Sequence, residues 1–186
     1  MKVAVKKLCG TKREVADMAR TTIGLKGGEK EVSDEYMRKM YLCEHSPSRT
    51  EMYKITFKDI PYWVAMHFCR HKIGVEHFVS TQRTDRTGEN RDSKSQDAPV
   101  LYEMVLNAQA IINISRRRLC SCASKETKQA WKSALSELGK INMPLVSCCA
   151  AECIYKGHCF EYKTCNFHKT DKYKELLEKY RKDINK

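Results

Sequence analysis

A basic run at positions 70–72 carries the first chemistry that the sequence suggests. Arg70, His71 and Lys72 follow an apolar stretch, and Ser80 and Arg83 come shortly after them. Guanidinium, ammonium and hydroxyl groups are the donors that bind phosphate oxygens in proteins. The spacing therefore indicates a site for a phosphate-bearing ligand. The alternative is that the three cations compensate the C-terminal dipole of a helix and are otherwise solvated.

The composition favours an anionic partner for this site. Lys and Arg number 35 against 23 Asp and Glu, so the net charge is +12. Such a balance suits nucleotides, nucleic acids or phosphorylated cofactors, although it also fits a merely solvated surface. No stretch approaches the ~18 apolar residues of a membrane helix. The first residues, 1–7, lack the apolar core of a secretion signal, so we expect a cytoplasmic protein without a membrane partner.

Ten cysteines raise a second possibility, a metal site near the C-terminus. The Cys149–Cys153 spacing matches a common zinc-ligand pair, whereas the gaps to Cys159 and Cys165 do not. Three interpretations stay open: a zinc site built from these four cysteines, reduced thiols, or disulfides. Reduced thiols are favoured because no secretion signal is expected.

The elements that position these groups follow from hydrophobic periodicity. Strands are predicted over residues 3–9 and 53–58, and helices over residues 11–22, from Ser33, 62–70, 100–119, 125–138, 144–153 and from Thr170 onward. Asp59 and Pro61 are expected to begin the 62–70 helix. The polar segment 84–99 is expected to be a loop with a functional role or high mobility.

The longest predicted helix, 100–119, adds three polar candidates. Asn107 and Arg118 are three turns apart and would share one face of that helix, while Asn113 would lie on another. The planar fork of Arg118 suits a phosphate or a pyrimidine carbonyl. The alternative is that Arg118 is one member of a solvated run, 116–118.

These motifs together resemble the flavin-dependent thymidylate synthases. The triplet at 70–72, seven intervening residues and Ser80 are similar to that family's Arg-His-Arg triplet, seven residues and serine. His45 precedes a strand and a helix in the family's order. Asn107, Asn113 and Arg118 resemble its helical pattern of two asparagines and an arginine. The resemblance covers about residues 18–138.

The resemblance implies an α/β (α+β) fold like that of the thymidylate synthase complementing protein: a mixed sheet flanked by helices, with a long central helix. It also implies a homotetramer whose active sites are shared among subunits. We expect a family-like domain over 1–143 and a Cys-rich tail over 144–186. The tail would end in an amphipathic helix whose apolar stripe runs from Tyr173 to Ile184.

The implied activity is a methyl transfer to a pyrimidine deoxynucleotide. In the family, FAD takes hydride from NADPH, and methylenetetrahydrofolate supplies the carbon that converts dUMP to dTMP. The resemblance assigns catalytic roles to Ser80 and Arg118. It assigns cofactor binding to His45, Arg70, His71, Lys72, Asn107 and Asn113. It assigns nucleotide binding to His67, Ser80, Gln82, Arg83 and Arg118.

Several positions depart from the family pattern. Lys72 replaces an arginine, Gln82 stands where an arginine is usual, and Phe78 stands where an acid is usual. Cys122 and Ser124 occupy positions of a histidine and a glutamine. Two alternatives follow: a relative with another pyrimidine nucleotide or product, such as hydroxymethylation of dUMP or dCMP, or a non-catalytic nucleic-acid-binding relative. A recognisable nucleic-acid motif is missing, so a nucleic-acid partner is not favoured.

Overall fold

Four antiparallel strands form the sheet that supports the site. In the computed structural model, which describes residues 1–182, these strands are β1 (Lys2–Cys9), β2 (Met52–Pro61), β3 (Val75–Val79) and β4 (Pro99–Asn107). Their spatial order is β1-β2-β4-β3, and every neighbouring pair is antiparallel. The α+β class is confirmed, but the prediction of a mixed sheet is wrong.

Helices lie between and after the strands. They are α1 (Lys12–Thr21), α2 (Asp34–Leu42), α3 (Tyr62–Phe68), α4 (Thr84–Thr87), α5 (Ala108–Arg118), α6 (Lys125–Gly139), α7 (Met143–Ser147), α8 (Glu152–Lys156) and α9 (Asp171–Lys182). Thr11 and Ser33 cap α1 and α2 as their sequence positions predict, because each side chain accepts a backbone N–H three residues on.

Helices α3 and α6 cover one face of the sheet through an aromatic core. Phe68 of α3 stacks on Phe57 of β2 with ring centroids 5.5 Å apart, and Trp131 of α6 packs on Phe68 at 5.8 Å. All three side chains are fully buried. Trp131 also donates from Nε1 to the Ser115 hydroxyl at 2.9 Å, which fastens α6 to α5. Paired aromatic rings of this kind contribute more than their buried area alone.

The predicted long helix over residues 100–119 is wrong in its first half. Val100, Tyr102, Met104 and Leu106 are buried in alternation along β4, which is hydrogen-bonded on both sides. The apolar residues of this segment fit both the helical and the strand period, and pairing with the neighbouring strands selects the strand. Helix α5 therefore begins only after Asn107, which caps its start, and Arg118 is its last residue.

The predicted start of α3 also differs. Asp59 does not cap the helix but lies inside β2 with a φ of 59°, where the register with β4 shifts. A bulge of this kind bends a strand and re-aims it. Pro61 immediately precedes α3 without a side-chain cap. The bend directs α3 back across the sheet toward the basic run.

The tail packs in two parts: α7 lies against α2 and α6, and α8 lies against α5 and α9. A helix was predicted over 144–153, whereas the chain forms α7 and α8 with a break between them. Tyr173 and Tyr180 of α9 are buried with Ile154 in a small second core, as the apolar stripe predicts. Ile184 lies outside the described residues. The division at 143/144 stays a prediction.

The 84–99 segment is exposed along most of its length and contains only α4 and one short turn of 3-10 helix. Trp63 of α3 donates from its indole nitrogen to Asp97 at 2.7 Å, which holds the end of the segment.

Within residues 1–182, no helix is both long enough and apolar enough to cross a bilayer.

Candidate functional site

Arg118 and His71 form the centre of the candidate site. Arg118, the last residue of α5, donates from Nε to Nε2 of His71 at 2.9 Å. A second guanidinium nitrogen donates to the backbone carbonyl of His67 in α3. The structure therefore brings together three residues that the sequence analysis selected from two distant segments. Two directed bonds hold the guanidinium plane in one orientation.

His71 is held in its neutral form. Because Nε2 accepts the bond from Arg118, the imidazole proton resides on Nδ1. Burial lowers the pKa of His71 to about 4, and the positive charge of Arg118 acts in the same direction. Burial likewise lowers the pKa of His67, whose Nδ1 lies 3.1 Å from the Thr127 hydroxyl. Both rings thus serve as neutral hydrogen-bonding groups near neutral pH.

The site backbone is held by a pair that the sequence analysis missed. His77 of β3 lies 2.6 Å through Nε2 from the His71 carbonyl oxygen, and 2.7 Å through Nδ1 from the Tyr102 hydroxyl. A carbonyl oxygen only accepts, so His77 donates from Nε2 and accepts from Tyr102. A signal existed: His77 falls on the inward, apolar positions of β3, between Val75 and Val79.

Arg70 and Lys72 present uncompensated charge at the same place. Both are exposed, and neither makes a hydrogen bond or ion pair within residues 1–182. Arg118 likewise contacts no carboxylate in that part of the chain. Mutual repulsion shows at Arg118, where burial and then the charge of Arg70 lower the guanidinium pKa. Three cations with no acidic neighbour form a surface suited to a polyanion.

Gly74 shapes the loop that carries the basic run. It has a φ of 71°, and a Cβ added there would lie 2.6 Å from the Asn107 side-chain nitrogen. Asn107 donates its backbone N–H to the Gly74 carbonyl at 3.1 Å, and its side-chain oxygen caps α5 by accepting from Ala110 at 2.8 Å. Asn107 therefore holds the loop against the start of α5. Its predicted contact with a cofactor stays a prediction.

Asn113 belongs to a second cluster, on a different face of α5 from Arg118. Its side-chain oxygen accepts from Arg116 at 3.1 Å and from Gln109 at 3.3 Å, and both of these residues also bind the carboxylate of Glu44. Burial acts to raise the pKa of Glu44, but the bonds and charge of Arg116 outweigh it and lower that pKa. The sequence analysis did not select Glu44 or Gln109, and it considered Arg116 only within the alternative of a solvated run.

Three buried polar atoms in this region lack a partner among the described residues. They are Nδ1 of His45, Oε1 of Gln109 and Nε of Arg116. His45 directly follows Glu44, which has a φ of 53°, and it precedes the short 3-10 helix over Ser46–Thr50. Unpaired buried polar atoms are rare in proteins, so this cluster has capacity for a further polar group.

The remaining predicted nucleotide contacts lie at the end of β3. The Ser80 hydroxyl accepts the backbone N–H of Leu101 at 3.1 Å and keeps its own proton for donation. Gln82 is half-buried. Arg83 is engaged with Asp85 through two bonds of 3.0 and 2.8 Å. No contact joins these three residues to Arg118 within residues 1–182.

The tail cysteines surround a cavity of about 590 Å³ behind the end of α5. Cys149, Cys153, Cys159 and Cys165 all line it, together with Cys120. Within the chain up to residue 182, no three His, Cys, Asp or Glu side chains are arranged so that they could hold a metal ion. The interpretation of these four cysteines as a zinc site therefore has no support in the described part of the chain.

Solved structures with this fold exist, although no protein-family model and no curated protein matches the sequence. The flavin-dependent thymidylate synthase ThyX from Helicobacter pylori, solved with FAD and dUMP, is similar with a TM-score of 0.67 and 12% identity, over 81% of this chain and 100% of the other. A second structure of that enzyme with FAD and dUMP has a TM-score of 0.64 and 13% identity, over 80% and 99%.

The UMP/dUMP methylase PolB from Streptomyces cacaoi, bound with 5-Br dUMP, is similar with a TM-score of 0.59 and 10% identity. That match covers 79% of this chain and 94% of the other. Each match spans nearly the whole of the known protein and leaves about a fifth of this chain outside it. The chain has the fold of the flavin-dependent thymidylate synthases, at 10–13% sequence identity.

Proposed function

We propose that this protein is a flavin-dependent methyltransferase that converts dUMP to dTMP. The observation that carries the proposal is the cluster of Arg70, Lys72 and Arg118 around neutral His71, without a carboxylate partner in the described chain. The cluster lies in a fold whose solved examples bind FAD and dUMP. Methylenetetrahydrofolate would donate the carbon, and NADPH would be the reductant.

The residues present fit a flavin dinucleotide. Its diphosphate is a polyanion, and Arg70 and Lys72 offer exposed cationic donors with no competing acid nearby. His71 would offer a neutral Nδ1–H donor. The buried, unpaired Nδ1 atom of half-buried His45 and the carboxamide of Asn113 offer further polar contacts. When bound, FAD would supply the electrons that reduce the transferred one-carbon unit to a methyl group.

The protein's own part in the reaction is to bind and orient. Arg118 would present its guanidinium to the phosphate or the pyrimidine carbonyl of the nucleotide, held in place by His71 and the His67 carbonyl. Ser80 would donate its hydroxyl proton to the same nucleotide. Lys72 offers a point charge without the planar fork of an arginine, so it would hold a phosphate less directionally.

A second copy of the chain is needed to complete the site in this proposal. Arg118 and Asn113 lie on different faces of α5, so one active site could combine the nucleotide-binding Arg118 of one subunit with the cofactor-binding Asn113 of another. The open face of the sheet supports assembly into a homotetramer. Phe78 is 56% exposed there, and Lys2 stands directly opposite Lys58. Like charges across a strand pair are unfavourable unless another group compensates them.

A changed nucleotide is the second candidate. Gln82 stands where an arginine is usual, and the neighbouring Arg83 is engaged with Asp85 and does not replace it. The similarity to a UMP/dUMP methylase shows that proteins of this fold accept more than one uridine nucleotide. The alternative substrates are UMP and dCMP, with methylation or hydroxymethylation at carbon 5.

The test is flavin binding followed by product analysis. We expect the purified protein to bind FAD and, with methylenetetrahydrofolate and NADPH, to form dTMP from dUMP. Arg70→Ala should lower FAD affinity by about 10- to 100-fold, the loss of one charge-assisted bond. Lys30→Ala removes an exposed charge from the segment before α2 and should change nothing. Unchanged FAD affinity in Arg70→Ala would contradict the assignment.

A further inference from the structure

Two cysteine-bearing segments lie against each other beside the end of α5. The first is the loop between α5 and α6, with Cys120 and Cys122; the second is the tail segment that contains Cys165. The Cys122 thiol lies 3.6 Å from the carbonyl oxygen of Lys163, and the Cys120 thiol lies 4.0 Å from the carboxylate of Glu161. The two segments thus run side by side, which brings Cys165 next to Cys122.

Charged contacts also hold the end of α5 against the tail. Arg117 of α5 reaches Glu161 and Glu152 of the tail, each at 3.9 Å. The pairing of Cys122 with Lys163 is therefore one of several contacts across the same boundary. A reaction that joins the segments covalently would need little rearrangement of the backbone.

Accessibility separates this pair from the other thiols nearby. Cys122 and Cys165 are both exposed, whereas Cys120 is buried and Cys153 and Cys159 are half-buried. Small oxidants reach exposed thiols first. Cys9 and Cys43 are also exposed, but each lies in another part of the fold, where its thiol faces the backbone carbonyl of Thr50 or Met40.

We propose that Cys122 and Cys165 form a reversible disulfide that joins the α5–α6 loop to the tail. The oxidant would be a low-molecular-weight disulfide. One protein thiolate attacks the small disulfide and releases one small thiol, and the second protein thiolate then attacks the mixed disulfide and releases the other. Two protein thiols are oxidised to one disulfide, two small thiols are formed, and two electrons pass from protein to oxidant.

The chemistry of the thiols sets the conditions for this reaction. Burial and the neighbouring thiols of Cys120 and Cys165 raise the pKa of Cys122 to about 11. The thiolate is the reactive form, so the exchange is slow at neutral pH and faster in alkaline buffer. Once formed, the bond would restrain the loop that directly follows Arg118. It does not require that the proposed methyl transfer be correct.

The experiment uses the full chain, fully reduced and then incubated with glutathione disulfide at about pH 8.5, where the thiolate fraction is raised. Remaining thiols are alkylated, and the unreduced protein is digested for mass spectrometry. We expect a cross-linked peptide pair that contains Cys122 and Cys165, and no cross-link among the other eight of the ten cysteines. Added dithiothreitol should reverse the link.

Two variants decide the outcome. Cys165→Ser should abolish the cross-link and leave glutathione attached to Cys122, while Cys43→Ser, which alters an exposed cysteine elsewhere, should keep it. Circular dichroism of each variant confirms that it is folded. The proposal is overturned if folded wild-type protein forms another pair, if it carries glutathione on both thiols without a link, or if bound zinc protects these thiols.

Discussion

Arg118 and His71 are joined by a 2.9 Å bond from Nε to Nε2, which connects the end of α5 to the loop after α3. The bond requires a neutral imidazole, and the charge of Arg118 helps to keep it neutral. The two residues are therefore coupled: the guanidinium gains a fixed orientation, and the ring gains a defined tautomer. A flexible basic surface would show neither property.

Arg118→Lys should weaken nucleotide binding although it keeps the positive charge. Lysine cannot bond His71 and the His67 carbonyl and still present a planar fork to the ligand. We expect the dissociation constant for dUMP to rise about 10- to 100-fold, the loss of one charge-assisted bond. Titration calorimetry measures it, and Arg117→Lys is the control because that side chain is 59% exposed. An unchanged dissociation constant in Arg118→Lys would mean that charge alone matters.

Stability should fall as the pH is lowered, and His71 should contribute to that slope. The folded-state pKa of His71 is about 4 and its ordinary value is 6.5. Between these values the unfolded chain binds the proton and the folded chain does not, so the free energy of unfolding decreases as pH falls through this window. The contribution is fully present above about pH 6.5. Urea denaturation at several pH values should show that the free energy of unfolding declines less steeply with falling pH in His71→Gln than in the wild type. Parallel curves would mean that His71 does not contribute to the pH dependence.

Gly74→Ala should destabilise the protein by about 2–4 kcal/mol. The residue has a φ of 71°, and the added Cβ would meet the Asn107 side chain at 2.6 Å, so backbone strain and a steric clash combine. Gly88→Ala is the matched control. It has a φ of 74° but nothing within 4 Å, so it should cost only about 1 kcal/mol. Thermal unfolding measures both, and equal costs would show that the Asn107 contact is unimportant.

Arg116→Ala should lower the free energy of unfolding by about 2–3 kcal/mol. The change removes the partner of Glu44, one bond to Asn113, and a guanidinium that lies 3.5 Å over the Tyr155 ring. Arg117→Ala should stay within about 0.5 kcal/mol because that side chain is mostly in solvent. Urea denaturation compares the two. A similar effect at both positions would contradict the buried cluster.

Asn142→Ala should cost about 1–3 kcal/mol, since it removes the amide donor from two buried tyrosine hydroxyls and the cap of α7. The Asn142 carboxamide donates to the hydroxyls of Tyr41 and Tyr53 at 2.8 and 2.7 Å, and its oxygen caps α7. Asn90→Ala, which removes an exposed cap of the 84–99 segment, should have less effect. If Asn142→Ala unfolds as the wild type does in a denaturant series, the start of the tail is not fastened to the sheet as the structure indicates.

Elements with strong local signals could be predicted from the sequence. Thr11 and Ser33 begin helices because their side chains satisfy free backbone N–H groups, a property of the local sequence. The alternation of apolar and polar residues over 53–58 is also a local signal, and it predicted most of β2 correctly. The 100–119 segment failed because apolar residues there suit both periods, and only pairing with β2 and β3 selects a strand.

Within the site, residue types indicated that Arg70, His71 and Lys72 suit an anion, and the family resemblance added Arg118. Their arrangement was decided by tertiary structure. The bend at Asp59, the left-handed backbone at Gly74 and the pairing of β3 with β4 bring the loop to the end of α5, and none of these has a local sequence cause strong enough to predict. Glu44 and Gln109 escaped notice because a buried polar side chain is defined by its neighbours, and these neighbours are distant in sequence. The amino-acid types specify which functional groups the chain contains. Packing specifies which of those groups meet, because hydrogen bonds between residues distant in sequence form only once the core has placed both partners.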